Sequence, residues 1–111
     1  MYFDRESIIA AQQAAKLPVE TVEAFGGEVC IQKLDAAGYL AAIAEDSSDQ
    51  VGAMIRLVIR SVVHPETRHA IFTSDDVETL KGFDGKDILK IVTAANRLNN
   101  WGKLEEVAKN S

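Results

Sequence analysis

The stretch "VGAMIRLVIRSVVHP", residues 51–65, decides the fold. Val51, Met54, Ile55, Val58 and Val62 recur at helical spacing, and Leu57 and Ile59 widen the apolar stripe beyond what a helix packed on one side requires. The spacing predicts a central helix, touched by neighbours on more than one face. Val58, Ile59, Val62 and Val63 are β-branched and stiff at χ1, which softens the C-terminal end. Pro65 disfavours helical geometry at His64, so the helix should stop by residue 63 or 64.

Upstream of it, Asp4 can cap a first helix, with Ile8, Ala11, Gln12 and Ala15 on one face and Pro18 closing it. "VETVEAFGGEVCIQKL", residues 19–34, reads as two strands joined at Gly26-Gly27, a dipeptide that tolerates the positive φ values of tight hairpin turns. In the second strand Val29, Ile31 and Lys33 face one way and Cys30, Gln32 and Leu34 the other, so neither face is cleanly polar. Asp35 then caps a short helix, "AAGYLAAIAE", expected to turn Tyr39, Leu40 and Ile43 inward, with Gly38 weakening it by ~1 kcal/mol relative to alanine. "EDSSDQ", residues 45–50, has no apolar anchor and reads as an exposed loop.

Downstream, Ala70, Ile71 and Phe72 form a short apolar piece. Thr73 or Ser74 caps a helix beginning with Asp75 and Asp76, whose carboxylates oppose the positive end of the helix dipole. Gly82 ends that helix, and Asp84 or Asp87 starts a longer one with Ile88, Ile91, Val92, Ala95 and Leu98 as its buried stripe. The tail "WGKLEEVAKNS" is expected to fray or to continue as a weak helix after Gly102. Together these elements predict a mainly α (α+β) fold: one domain over 1–111, about five helices, one small β-hairpin near the N-terminus, and a flexible tail at 101–111.

The composition suits such a domain. At 111 residues a chain can bury ~65% of its unfolded surface, enough for a modest core. Apolar residues at 47% and charged residues at 26% argue against disorder. The net charge of −5 is unfavourable for gripping a phosphate backbone, so nucleic acid is not an expected partner. Cys30, the lone cysteine, cannot form an intrachain disulfide, which suits a reducing cytoplasm. The N-terminal residues lack the basic and apolar regions of a signal peptide. Arg56 and Arg60 interrupt the longest apolar stretch far short of the ~20 residues a membrane span needs, so no membrane is expected.

The segment from His64 to Asp76 gathers His64, Glu66, His69, Asp75 and Asp76, which invites a reading as a metal or acid–base site. His64 and His69 lie five apart around Pro65, unlike the i, i+4 pair of a zinc protease or any Cys/His zinc spacing, and Cys30 is the sole thiol. A triad of Ser61, His64 and Asp75 can be named, but any chain this long offers such a set by chance. "FGGE" and "GFDG" lack the P-loop lysine and the three-glycine spacing of nucleotide sites. No catalytic, metal-binding or cofactor-binding residue is therefore assigned, and no cofactor is expected. Arg56 and Arg60, one helical turn apart, can meet a partner's carboxylates, although exposed charges are more often only solvated. Trp101 can anchor a partner or pack back on its own domain. Arg56, Arg60, Leu98 and Trp101 are the candidate partner contacts.

Taken in order, "ESIIAAQ", "VEAFGGEVCIQKL", "AAGYLAAIAE", "MIRLVIRSVV", "AIFTSDDVETL" and "ILKIVTAANRLNNW" resemble the tail assembly chaperones of long-tailed bacteriophages over roughly residues 7 to 109. The aromatic-Gly-Gly strand pair, "IFTSDDVETL" and the closing "RLNNW" carry most of the likeness. Where the family often has an "ER" pair and a glycine turn before phenylalanine, this chain has Gly38-Tyr39 and "HPETRHA". The resemblance implies a non-enzymatic homo-oligomer of the host bacterial cytoplasm that binds the tape-measure protein, recruits tail-tube protein, partly through a frameshifted longer product, and is absent from the mature virion. Two rivals follow from the residues alone. A small helical regulatory or DNA-binding domain would need a basic recognition helix, which the net charge speaks against. A metalloenzyme using His64 and His69 would bind metal stoichiometrically.

Overall fold

The computed structural model describes residues 2–45 and 48–100. Among these residues the order is α1 (Arg5–Ala14), β1 (Val19–Ala24), β2 (Gly27–Gln32), α2 (Ala36–Ile43), α3 (Gln50–Ser61), β3 (Val62–Val63), a 3₁₀ turn (Ser74–Asp76), α4 (Val77–Lys81) and α5 (Gly85–Leu98).

The strands form one antiparallel sheet in the order β1-β2-β3. This corrects the expectation of a mainly α fold whose strands make a single hairpin: the described residues hold five α-helices and a three-stranded sheet. The third strand comes from the end of the stretch read as helix. Helix α3 stops at Ser61 and the next residue is already extended, Val62 opposite Ile31 and Val63 opposite Cys30. The cause is non-local. Val62 and Val63 are poor helix formers beside Pro65, and β2 offers an open row of backbone donors and acceptors on the side away from β1. The pairing also drives Val62 into the core at 2% exposure. The chain then reverses through 64–69. The His64 amide donates to the His69 carbonyl, Ile71 donates to Val62, and Ala70 bridges Val63, with Arg68 at φ 64° turning the loop.

The hairpin runs from the Val19↔Gln32 pair to Ala24↔Gly27. Its two-residue turn is Phe25-Gly26, at φ 57° and 81°, one position earlier than the Gly26-Gly27 turn expected from sequence. Phenylalanine is uncommon in the left-handed region. Here the Phe25 amide donates to Asp87 Oδ2 at 3.1 Å, and its ring meets Phe83 edge-on, 5.2 Å between centroids. Phe83 in turn meets Phe72 at 6.5 Å. The hairpin tip is thereby tied to the first turn of α5.

Helices α3 and α5 pack together, and α5 also lies across β1 and β2. Ile31, Ile55, Val58, Val62, Leu80, Ile91, Val92 and Ala95 fill the space between. Side-chain caps start each longer helix: Asp35 takes the Gly38 amide, Asp49 that of Gly52, and Asp84 those of Lys86 and Asp87. Thr73 and Asp76 form a reciprocal capping box ahead of α4. Asn99, 5% exposed, joins the two ends of the core. Its Oδ1 accepts from the Leu34 amide at 3.2 Å, and its Nδ2 donates to the Ala95 carbonyl at 2.8 Å.

Candidate partner-binding surface

Helix α2 holds no charged residue from Ala36 to Ala44, yet none of its residues is buried. Tyr39 and Ala42, three apart, lean on the core. Leu40 and Ile43, on the adjoining stripe, are 59% and 60% exposed. Of the residues expected to pack inward only Tyr39 does, because α2 is two turns long and meets the body along one line. Helix α3 continues the exposed surface. Ile55, Leu57 and Val58 are buried, while Val51 and Met54, expected in the same stripe, face outward. Between the helices lies a groove of about 330 Å³ lined by Ala42, Ile43, Ala53, Met54 and Leu57, with the polar Glu45 and Asn96 among them.

Arg56 and Arg60 converge on Glu45. Arg56 Nε and Arg60 Nη2 each lie 2.8 Å from Glu45 Oε1, and Arg56 Nη1 lies 3.7 Å from Asp49. Burial pushes the Glu45 carboxyl up, but hydrogen bonds and charge from the two guanidinium groups together outweigh it and hold the carboxyl below its ordinary value. The hydrogen bond to Glu45 likewise raises Arg56. The two arginines are thus a clasp within the chain. It anchors the segment after α2 to α3. Sequence spacing placed the arginines on one face but gave no sign that Glu45, in a polar stretch, would reach both.

Leu98 is half-buried against the core, away from that groove. Trp101, and the flexible tail expected at 101–111, lie outside the described residues. The His64–Asp76 cluster is dispersed. His64 Nδ1 accepts from the Glu66 and Thr67 amides, Asp76 closes the capping box, and Asp75 begins the 3₁₀ turn. Among the described residues no group of three or more His, Cys, Asp or Glu side chains is placed to hold a metal ion. Nor is any described helix long and apolar enough to cross a membrane.

A second uncovered surface was missed in the sequence. Every residue from Tyr2 to Lys16 is exposed, and none of α1 is buried against the described residues. Its readable sign is the absence of charge from Ser7 to Ala15 in a chain with 26% charged residues.

No family model matches the chain, and no curated protein does either. Among solved structures, that of the bacteriophage HK97 tail assembly chaperone is similar with a TM-score of 0.61, over 84% of this chain and 94% of that one, at 16% sequence identity. A likeness at this identity is one of architecture: the chain has a tail-chaperone-like fold.

Proposed function

We propose that the protein is a phage tail assembly chaperone, non-enzymatic, acting in the host bacterial cytoplasm as a homo-oligomer and absent from the mature virion. On this reading it binds the tape-measure protein and helps recruit tail-tube subunits, partly through a frameshifted longer product. The observation that supports it is the fold shared with the HK97 protein along nearly all of that chain's length. The surface is consistent with the role: the uncharged stretch from Ser7 to Ala14 of α1 and the uncharged helix α2 bury no residue among the described residues, as a protein that holds apolar partners requires. The proposed contacts are Ile43 and Met54 in the groove, Arg56 and Arg60, which clasp Glu45, Leu98 at the end of α5, and Trp101, which lies outside the described residues.

Co-expression with the tape-measure protein of the same genome tests this. The expected result is a stable complex that keeps the tape-measure protein soluble, and loss of tails from particles made without the chaperone. A tape-measure protein that stays apart, with normal tails in its absence, would overturn the reading.

A further inference from the structure

We infer that residues 101–111 fold back on their own chain, seating the apolar side of that segment in the α2–α3 groove at Ile43 and Met54. The inference is independent of the functional reading above.

The segment "WGKLEEVAKNS", which lies outside the described residues, has the pattern such a seat requires. Trp101, Leu104 and Ala108 recur at helical spacing with Val107 beside them. Lys103, Glu106 and Lys109 fall on the other side, and Glu105 borders the stripe. A helix this short is marginal alone in water and draws its stability from what its apolar side covers.

Helix α5 delivers the segment to the groove. Asn96 lines the groove, and Asn100 follows it by one turn, so the chain leaves α5 about 6 Å further along. Asn100 sits at φ 64° and its amide donates to the Arg97 carbonyl at 3.2 Å, a left-handed asparagine turn that stops a helix and redirects the chain. Other sides of the helix end are taken: Arg97 pairs with Glu20 of β1, and Asn99 is buried on the Leu34 amide. The segment spans roughly 16 Å as a helix and roughly 36 Å extended, ample to lie along the groove.

The groove suits this occupant in size and charge. At about 330 Å³ it is small for a binding pocket and takes one or two large apolar side chains, over Ile43 and Met54 that are 60% and 41% exposed. At Glu45, which lines it, two guanidinium groups share one carboxylate. Arg56 has a second acid, Asp49, at 3.7 Å. Arg60 has none, and its Nη1 is buried without a hydrogen-bond partner among the described residues. An unsatisfied buried donor is costly, so this end of the groove calls for one more carboxylate beside an apolar stripe. Glu105 supplies it. The rival seat, between β1 and α5, is lined by Val22, Leu89, Lys86, Lys90 and Arg97, but there Lys90 and Arg97 are already paired with Asp87 and Glu20.

Trp101 is the only tryptophan, so its fluorescence reports the seat in the full chain. Its emission should lie to the blue of the same chain in denaturant, with several-fold weaker quenching by acrylamide. Ile43→Glu with Met54→Glu should shift the emission to the red and restore quenching while circular dichroism stays helical. Leu89→Glu, in the rival groove, should change neither. Solvent-like emission from the unaltered chain, emission unmoved by the groove variant, or a shift with Leu89→Glu would overturn the proposal. Glu105→Gln should raise quenching partway, and unchanged quenching would overturn the pairing with Arg60. Met54→Cys with Leu104→Cys in a Cys30→Ser chain reads the contact without added charge. Oxidation at high dilution should close a disulfide within one chain, seen as a faster monomer band on a non-reducing gel. No disulfide, or one joining two copies, which would seat the segment on a neighbour, would overturn the inference.

Discussion

Helices α5 and α2 are built from opposite compositions and meet opposite fates. α5 carries Lys86, Asp87, Lys90 and Arg97 and buries Ile88, Ile91, Val92, Ala94 and Ala95. α2 carries no charge and buries nothing. The difference teaches that apolarity alone does not place a helix inside. α5 segregates its apolar residues to one stripe over nearly four turns and so covers both α3 and the sheet. α2 is apolar on more sides than its neighbour α3 covers, so its surplus faces outward.

The comparison can be tested from the covered side first. Ile31→Ala removes a fully buried side chain at the centre of the sheet. It should lower unfolding free energy by about 2–5 kcal/mol, read as a shift in denaturant midpoint. Asn99→Ala strands the Leu34 amide it now satisfies, with a smaller expected loss of ~1–3 kcal/mol by the same measurement. The Glu45 clasp lies between the two regions and gives a pH signature. Its carboxyl is held below the ordinary 4.5, so the folded state binds that proton less tightly than the unfolded state does. Its contribution is complete above that value and is lost as pH falls through the folded one. Glu45→Gln should flatten this part of an acid unfolding curve. On the uncovered side Leu40→Asp should change the stability of the monomer by no more than ~0.5 kcal/mol, since the side chain touches mainly solvent. A large loss there would mean that α2 belongs to the core after all.

What the sequence revealed follows the range of the forces involved. The caps at Asp4, Asp35 and Asp84, the hairpin, and the buried stripe of α5 depend on neighbours within a few residues, and all were legible. Strand β3 was not. Its two residues become a strand only because Ile31 and Cys30, some thirty positions earlier, present an open edge. The shift of the turn to Phe25-Gly26 has a similar source, since Asp87 and Phe83 hold Phe25 in place from a distant helix. Periodicity marks an apolar stripe but cannot say whether the chain itself covers it. For that reason Leu40, Ile43, Val51 and Met54 read as core and stand outside. The candidate contacts Arg56 and Arg60 were visible as a pair, but their hold on Glu45 was not.

One joint has a mechanical meaning. No connecting residue separates Ser61, the last of α3, from Val62, the first of β3. A loop would absorb displacement; this junction has no slack. α3 cannot slide or rotate without pulling on the Ile31↔Val62 pairing, and the sheet cannot shear without turning α3. A load placed on the outer face of α3, at Val51 or Met54, is therefore passed through β3 to the hairpin.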